Sequence, residues 1–147
     1  MDIVRVCLKK EYSIVNDSDK IYKAEDSVEI FNELIGEGDI ERVGCIFLDA
    51  QYNVICYSLI GFGNEEKTSI NIAELFRIVL LSGAKRIIVA HNHPSGILIP
   101  TERDIEITKQ IGSTGMLFDI FLIDSLIIGN DKEFLSIREY INRNEGG

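Results

Sequence analysis

The run Arg86-Ile87-Ile88-Val89-Ala90 constrains the fold more than any other part of the chain. It is short, rich in β-branched residues and apolar almost throughout. That pattern suits a strand buried on both faces in the middle of a sheet, because a strand with one wet face would alternate polar and apolar residues. The residues before it read as a helix: in "NIAELFRIVLLSGA", Ile72, Leu75, Phe76, Val79 and Leu80 repeat at helical spacing and Gly83 provides the stop. A helix therefore runs directly into a buried strand.

The flanking segments extend the same alternation. "DIVRVCLKKEYSIV" has period two and reads as a strand or a hairpin arm. "AEDSVEIFNELIGEG" reads as a helix, with Val28, Ile30, Phe31, Leu34 and Ile35 as its apolar stripe, Asp26 or Ser27 as its cap, and Gly36 and Gly38 as its stop. Two β-rich runs, Val43 to Leu48 and Val54 to Ile60, are joined by residues 49–53 and read as a hairpin. A polar Gly-Asn-Glu-Glu-Lys loop follows. After the buried strand, "TERDIEITKQIGSTG" reads as a third helix with Ile105, Thr108 and Ile111 on one side and Gly112 or Gly115 at its end. "MLFDIFLIDSLIIGNDKEFLSIREYI" offers two or three further strands. The order of elements gives a mixed α/β or α+β sheet sandwiched by helices. With 147 residues, 46% hydrophobic content and no repeat or linker, the expectation is one domain over residues 1–147.

Charge narrows the partners. Twenty-four acidic against 15 basic residues leave a formal charge of −9, and no basic run offsets it. Long-range electrostatics would repel a phosphate backbone, so direct nucleic-acid binding is not expected. No apolar run reaches membrane-spanning length and "MDIVRVCLKK" has no signal core, so the expectation is a soluble, cytoplasmic protein without membrane contact. Cys7, Cys45 and Cys56 are widely spaced in apolar alternating segments and read as buried reduced thiols; no Cys-x-x-Cys pair points to a cysteine zinc site.

Both histidines of the chain, His91 and His93, stand at the end of the buried strand, just before Pro94. Residues at i and i+2 of an extended chain share a face, with Cα atoms roughly 6.6 Å apart, so two imidazoles can converge on one metal ion. Asp104, in the first turn of the third helix, is the candidate third ligand. Two histidines and a carboxylate leave the fourth tetrahedral position open, as in catalytic rather than structural zinc sites. A general base would complete such a site and need not be near in sequence. The same residues have plainer readings. Thr101-x-x-Asp104 is also an N-capping pattern, and two histidines at a strand end can hydrogen-bond to nearby backbone. The contiguous His-Asn-His is not the dispersed motif of the nucleases named after those letters, and the His-x-Glu and Pro-Cys-x-x-Cys elements of zinc nucleobase deaminases are absent.

"HNHPSG" followed by "PTERD" resembles the JAMM (MPN-type) metallopeptidase superfamily, whose pattern is His-x-His-Pro, a loop, then Ser-x-x-Asp, with an upstream glutamate. More narrowly, "ERVGCIFLDAQYNVI", "AKRIIVAHNHPSG" and "LIIGNDKEFLSIRE" resemble the RadC family of bacteria, historically labelled DNA repair proteins. The resemblance spans about residues 24 to 140. It implies a JAMM/MPN-type, cytidine-deaminase-like architecture. It also implies that His91, His93 and Asp104 are zinc ligands and that Glu41 is the general base, a residue otherwise read as a solvated acid between Asp39 and Arg42. Thr101 falls where the family usually has serine, whose hydroxyl serves the water or the oxyanion. Departures are the apolar loop "SGILIP" in place of a more polar one, Ser125 where a histidine is common, and "NIAELFR" without the Pro-Arg that often precedes its glutamate. Full-length relatives carry an N-terminal helical region; about 23 residues precede the matched stretch here, so the expectation is the domain without it.

The reading that follows is a zinc hydrolase cutting a peptide or isopeptide bond in a protein or peptide substrate. Its competitors are a non-enzymatic DNA-repair or recombination accessory protein acting through protein partners, and a metal-free MPN scaffold. Oligomeric state is left open, because periodicity does not say which sheet edges are covered.

Overall fold

The apolar run lies at the centre of the sheet, as its composition requires. The computed structural model of the protein describes residues 1–13, 19–36, 40–61 and 70–145. A 3-10 turn, Ala24–Ser27, leads into α1 (Val28–Ile35), and the strands β1 (Val43–Leu48) and β2 (Val54–Ile60) follow. Next come α2 (Ile72–Ser82), β3 (Arg86–Asn92), α3 (Glu102–Leu117), β4 (Phe121–Ile128), β5 (Phe134–Ser136) and α4 (Ile137–Glu145). The strands form one five-stranded sheet in the order β2-β1-β3-β4-β5. β3 is antiparallel to β1 and parallel to β4. A parallel pair needs a crossover, and α3 provides it.

Alternation along β3 divides the interior in two. Ile87 and Val89 face one core with Phe47 of β1, Leu75 and Val79 of α2, and Ile107 and Ile111 of α3. Ile88 and Ala90 face the other, with Phe31 and Ile35 of α1 and Leu126 and Ile128 of β4. Both faces of the strand are dry, so neither could tolerate a polar residue without a partner. The result is a mixed α+β sandwich with helices on both sides of the sheet.

The β1–β2 hairpin matches the sequence boundaries at both strands. Its turn is built by Asp49, whose Oδ1 accepts the N–H groups of Gln51 at 2.8 Å and Asn53 at 2.9 Å. α1 buries the expected stripe, Val28, Ile30, Phe31, Leu34 and Ile35. Neither candidate caps α1 through its side chain: Ser27 stands at the N-cap without a side-chain cap bond, and Asp26 Oδ2 reaches back to the N–H groups of Tyr22 and Lys23, both at 3.2 Å, at the start of the 3-10 turn. Gly36 ends the helix with φ +71°; Gly38 and the Gly-Asn-Glu-Glu-Lys loop lie outside the described residues.

Several expectations are corrected. Residues 2–13 form no strand despite their alternation; they are exposed, and residues 14–15 of that segment are not described. Alternation only becomes a strand where a ladder partner exists. Cys7 is accordingly exposed, whereas Cys45 is buried and Cys56 half-buried, all three as free thiols. α2 leaves Leu80 53% exposed, although it lies on the predicted stripe. α3 buries Asp104, Ile107, Thr108, Ile111 and Gly115, a face rotated away from Ile105, and it runs past both glycines to Leu117. Of the two or three strands expected in the tail two form, β4 and β5, and its end "IREYINRNE" is instead the helix α4. Its start is held by a buried acid from β4, Asp124, which accepts from Ser136 Oγ at 2.5 Å and from the Arg138 N–H at 3.3 Å. No helix among the described residues is long and apolar enough to cross a membrane.

Candidate metal centre

β3 carries His91 at its end, and the chain then leaves the sheet through a tight turn in which the Gly96 N–H donates to the His93 carbonyl at 2.9 Å. Pro94 favours such a turn, and Gly96 takes it up with φ +75°. Because His91 and His93 are two apart they stay on one face, the face covered by α3. Their Nε2 atoms are 3.0 Å apart and their ring centroids 4.9 Å apart. His91 is buried and His93 half-buried.

α3 delivers the carboxylate. Thr101 and Asp104 form a complete capping box: the Asp104 N–H donates to Thr101 Oγ1 at 3.1 Å and the Thr101 N–H donates to Asp104 Oδ2 at 2.9 Å. Asp104, only 6% exposed, also faces both imidazoles, with Oδ1 3.2 Å from His91 Nε2 and Oδ2 3.2 Å from His93 Nε2. The two readings of the Thr-x-x-Asp pattern are therefore compatible: one residue caps the helix and meets the histidines. Burial alone would raise the Asp104 carboxyl. The hydrogen bonds from His91 and His93, the His91 charge and the Thr101 N–H outweigh it and hold the group well below the usual carboxylate range.

Glu41 arrives from the chain just before β1. The register of β1 on β3, with Val43 opposite His91, brings it to the histidines across the sheet. Glu41, His91 and His93 each offer a ligand atom, and these atoms all lie within 4.8 Å of one another. The Glu41 carboxyl is half-buried. Burial raises its pKa, the nearby histidines lower it and Asp104 raises it, with a net upward shift. A carboxylate made a better proton acceptor is suited to general-base work.

The chemistry of these donors fits a metal ion. His93 Nδ1 lies 2.8 Å from the Ile97 carbonyl, an acceptor only, so Nδ1 carries the hydrogen. In the neutral ring this fixes the tautomer and turns the Nε2 lone pair toward His91, Asp104 and Glu41, as in metal-binding histidines held by a carbonyl behind the ring. The hydrogen bond to Asp104 raises the His93 pKa, against burial, with the Ile97 carbonyl and the charges of Asp104 and Glu41 adding to the rise. A proton and a cation compete for the same Nε2 position. Two imidazole nitrogens and carboxylate oxygens form a donor set that divalent metal ions, zinc among them, accept.

The structure thus brings all five sequence candidates, Glu41, His91, His93, Thr101 and Asp104, to one end of the sheet. Ser125 lines the small cleft beside Glu41, His91 and Asp104. Sequence reasoning passed over two contributors. One is the Ile97 carbonyl, which no side-chain pattern reveals. The other is Asn92, whose signal was present: a polar residue continuing a strand buried on both faces must have a partner.

Comparison with known proteins agrees with this architecture. A family model described as the RadC-like JAB domain matches residues 21–143. A UPF0758 protein of Finegoldia magna is 35% identical over 123 residues, 84% of this chain and 55% of the relative. UPF0758 proteins of Flavobacterium johnsoniae, 34% identical over 122 residues, and Chloroflexus aurantiacus, 39% over 101, cover 83% and 69% of the chain and 53% and 44% of their own lengths. The chain spans about half the length of the curated relatives it matches.

Proposed function

The chain belongs to the RadC-like JAB-domain family, and on that premise we propose that it is a zinc-dependent hydrolase cutting a peptide or isopeptide amide bond. The observation that carries this reading is the convergence of His91, His93 and Asp104 within 3.2 Å of one another, with Glu41 beside them. His91, His93 and Asp104 would hold the ion and leave a coordination position open. When bound, zinc supplies Lewis-acid polarisation of the scissile carbonyl and makes water a stronger acid.

The remaining work falls to the chain itself. Glu41 takes the proton of the attacking water on a carboxylate oxygen and passes it to the leaving nitrogen, so that the amine departs neutral. Thr101 Oγ1 accepts a hydrogen bond from the Asp104 N–H. Its own O–H hydrogen is then free to be donated to the developing oxyanion. The loop after the histidines shapes the approach. A Cβ on Gly129 would stand 2.9 Å from Leu98 Cδ2, so Leu98 packs inward. Its neighbours Ile97 and Ile99 are 57% and 63% exposed, and residues flanking the cut amide would meet this apolar rim. The charge of −9 gives no support to direct binding of DNA, so the substrate is read as a protein or peptide.

The test is elemental analysis of the zinc-supplied protein beside four variants. The expected result is about one zinc per chain, lost in His91→Ala, His93→Ala and Asp104→Ala. Glu41→Gln should keep the ion and lose turnover of peptide substrates. Wild-type protein that takes up no metal would overturn the reading.

A further inference from the structure

We infer that Asn92 is a positioning residue for Glu41, its side-chain amide standing in for the missing next rung of the β1–β3 ladder. The inference rests on the metal-centre reading for its consequence but on backbone geometry for its substance. β1 and β3 pair from Leu48 opposite Arg86 to Val43 opposite His91. One rung further, the Asn92 N–H still donates to the Arg42 carbonyl at 3.3 Å. There β3 has to stop, because the following residues turn away to place His93 and Pro94.

The side chain completes what the backbone leaves. Asn92 Oδ1 accepts the Arg42 N–H at 2.6 Å, and Asn92 Nδ2 donates to the Ile40 carbonyl at 3.1 Å. Both bonds land on the residues immediately before and after Glu41. A side-chain amide carries the same donor and acceptor pair as a peptide group, which is why asparagine can replace one. Asn92 is only 4% exposed, so its amide is committed to these partners and shielded from water's competition. With peptide groups 40 and 42 held in line with β1, the side chain between them is directed to one face. By the alternation that puts Val43 in the core with Val89, that is the face of His91. The residue between the two histidines thus belongs to the opposite face, yet it ties the distant acid to the strand that carries them. Removing the partner that orients a metal-site group typically costs about 10- to 100-fold in metal affinity or activity, and for a base that does not hold the ion the loss falls on activity.

The test uses cobalt(II) alone as the probe, titrated into wild type, Asn92→Ala, Glu41→Gln and the double variant, with the visible d–d band and the Kd as readouts. Amide exchange at Arg42 is measured on the same metal-free proteins. Asn92→Ala should keep cobalt binding, as Glu41→Gln does, shift the band in the direction that Glu41→Gln shifts it, and speed Arg42 exchange while the Cys45 and Phe47 amides stay protected. In the Glu41→Gln background the same substitution should shift the band no further, since its target is gone. An equal effect in both backgrounds would overturn the inference, because Asn92 would then act through the histidines or the fold. Unchanged Arg42 exchange would overturn it as well. A wild type with no cobalt band would overturn the metal-centre reading and the role of Asn92 in it, while the Arg42 amide would still report whether the rung exists. If Asn92→Ala does not fold, Asn92→Ser carries the same expectations, since its hydroxyl is too short to bridge both peptide groups.

Discussion

Thr101 and Asp104 bind each other twice, N–H to Oδ2 at 2.9 Å and N–H to Oγ1 at 3.1 Å, and the carboxylate held in this way is the one that faces both imidazoles. Helix capping and ligand placement are one arrangement, so they should fail together. Thr101→Ala removes the Oγ1 acceptor and should cost about 0.5–2 kcal/mol of stability; it should also weaken zinc binding, because Asp104 loses one of its two ties. Thr101→Ser should restore both. Chemical denaturation and zinc competition titrations check the pair, and a stability loss with unaltered zinc affinity would separate the two roles.

The apolar rim makes a specificity prediction. Ile97→Ser/Ile99→Ser leaves the backbone carbonyl that holds His93 in place, so zinc content should not change. Cleavage profiling on a mixed peptide set should show the preference for apolar residues beside the cut reduced by about thirtyfold, in line with two side chains contributing about 1 kcal/mol each against the substrate. An unaltered profile would remove the rim from the account of substrate choice.

Asp124 predicts a pH dependence of stability. Burial pushes its carboxyl above the usual range of an aspartate, against the lowering effects of the Ser136 hydroxyl, the Ser125 and Arg138 N–H groups and the Arg138 charge. The folded state therefore holds this proton more tightly than the unfolded chain. The associated stabilisation is fully present below the unfolded pKa and is lost as pH rises through the folded value. Asp124→Asn has no such proton. The Tm of wild type minus that of Asp124→Asn should become more positive as pH falls into the acidic range where carboxylates titrate, and a difference that is flat with pH would contradict the shift.

Two glycines of α3 should respond with opposite sign. A Cβ on Gly115 would stand 2.5 Å from the Ile120 carbonyl oxygen, which is backbone and cannot swing aside, whereas a Cβ on Gly112 would meet nothing within 4 Å. Gly115→Ala should destabilise by about 1–3 kcal/mol. Gly112→Ala should stabilise by about 0.5–1 kcal/mol through helix propensity. Thermal melts of the two variants decide it.

Much of the fold was legible because it rests on local pattern. The β-branched run at 86–90, the hairpin with its Asp49 turn and the stripe of α1 all follow from side-chain alternation and turn chemistry that act within a few residues. The places that were not legible depend on partners far along the chain. The alternation of residues 2–13 meets no ladder. The "IREYINRNE" stretch is helical with its start held by Asp124, twelve residues before Ser136. Ile105 and Leu80 sit on faces that periodicity marks as apolar, but which face is buried is set by the element packed against it.

The same division runs through the site. Strand period and helix capping are local properties, and they put two imidazoles on one face at the end of a buried strand and a capped carboxylate eleven residues after His93. Packing between distant elements is what lets Asp104 meet both imidazoles while it caps, lets the Ile97 carbonyl set the His93 tautomer, and lets Asn92 tie the backbone around Glu41 to β3. Glu41 and His91 are fifty residues apart, and they are neighbours because β1 pairs with β3 in a single register. Register is fixed by the burial of alternating side chains against two different cores, a condition that exists only once the whole sandwich has closed.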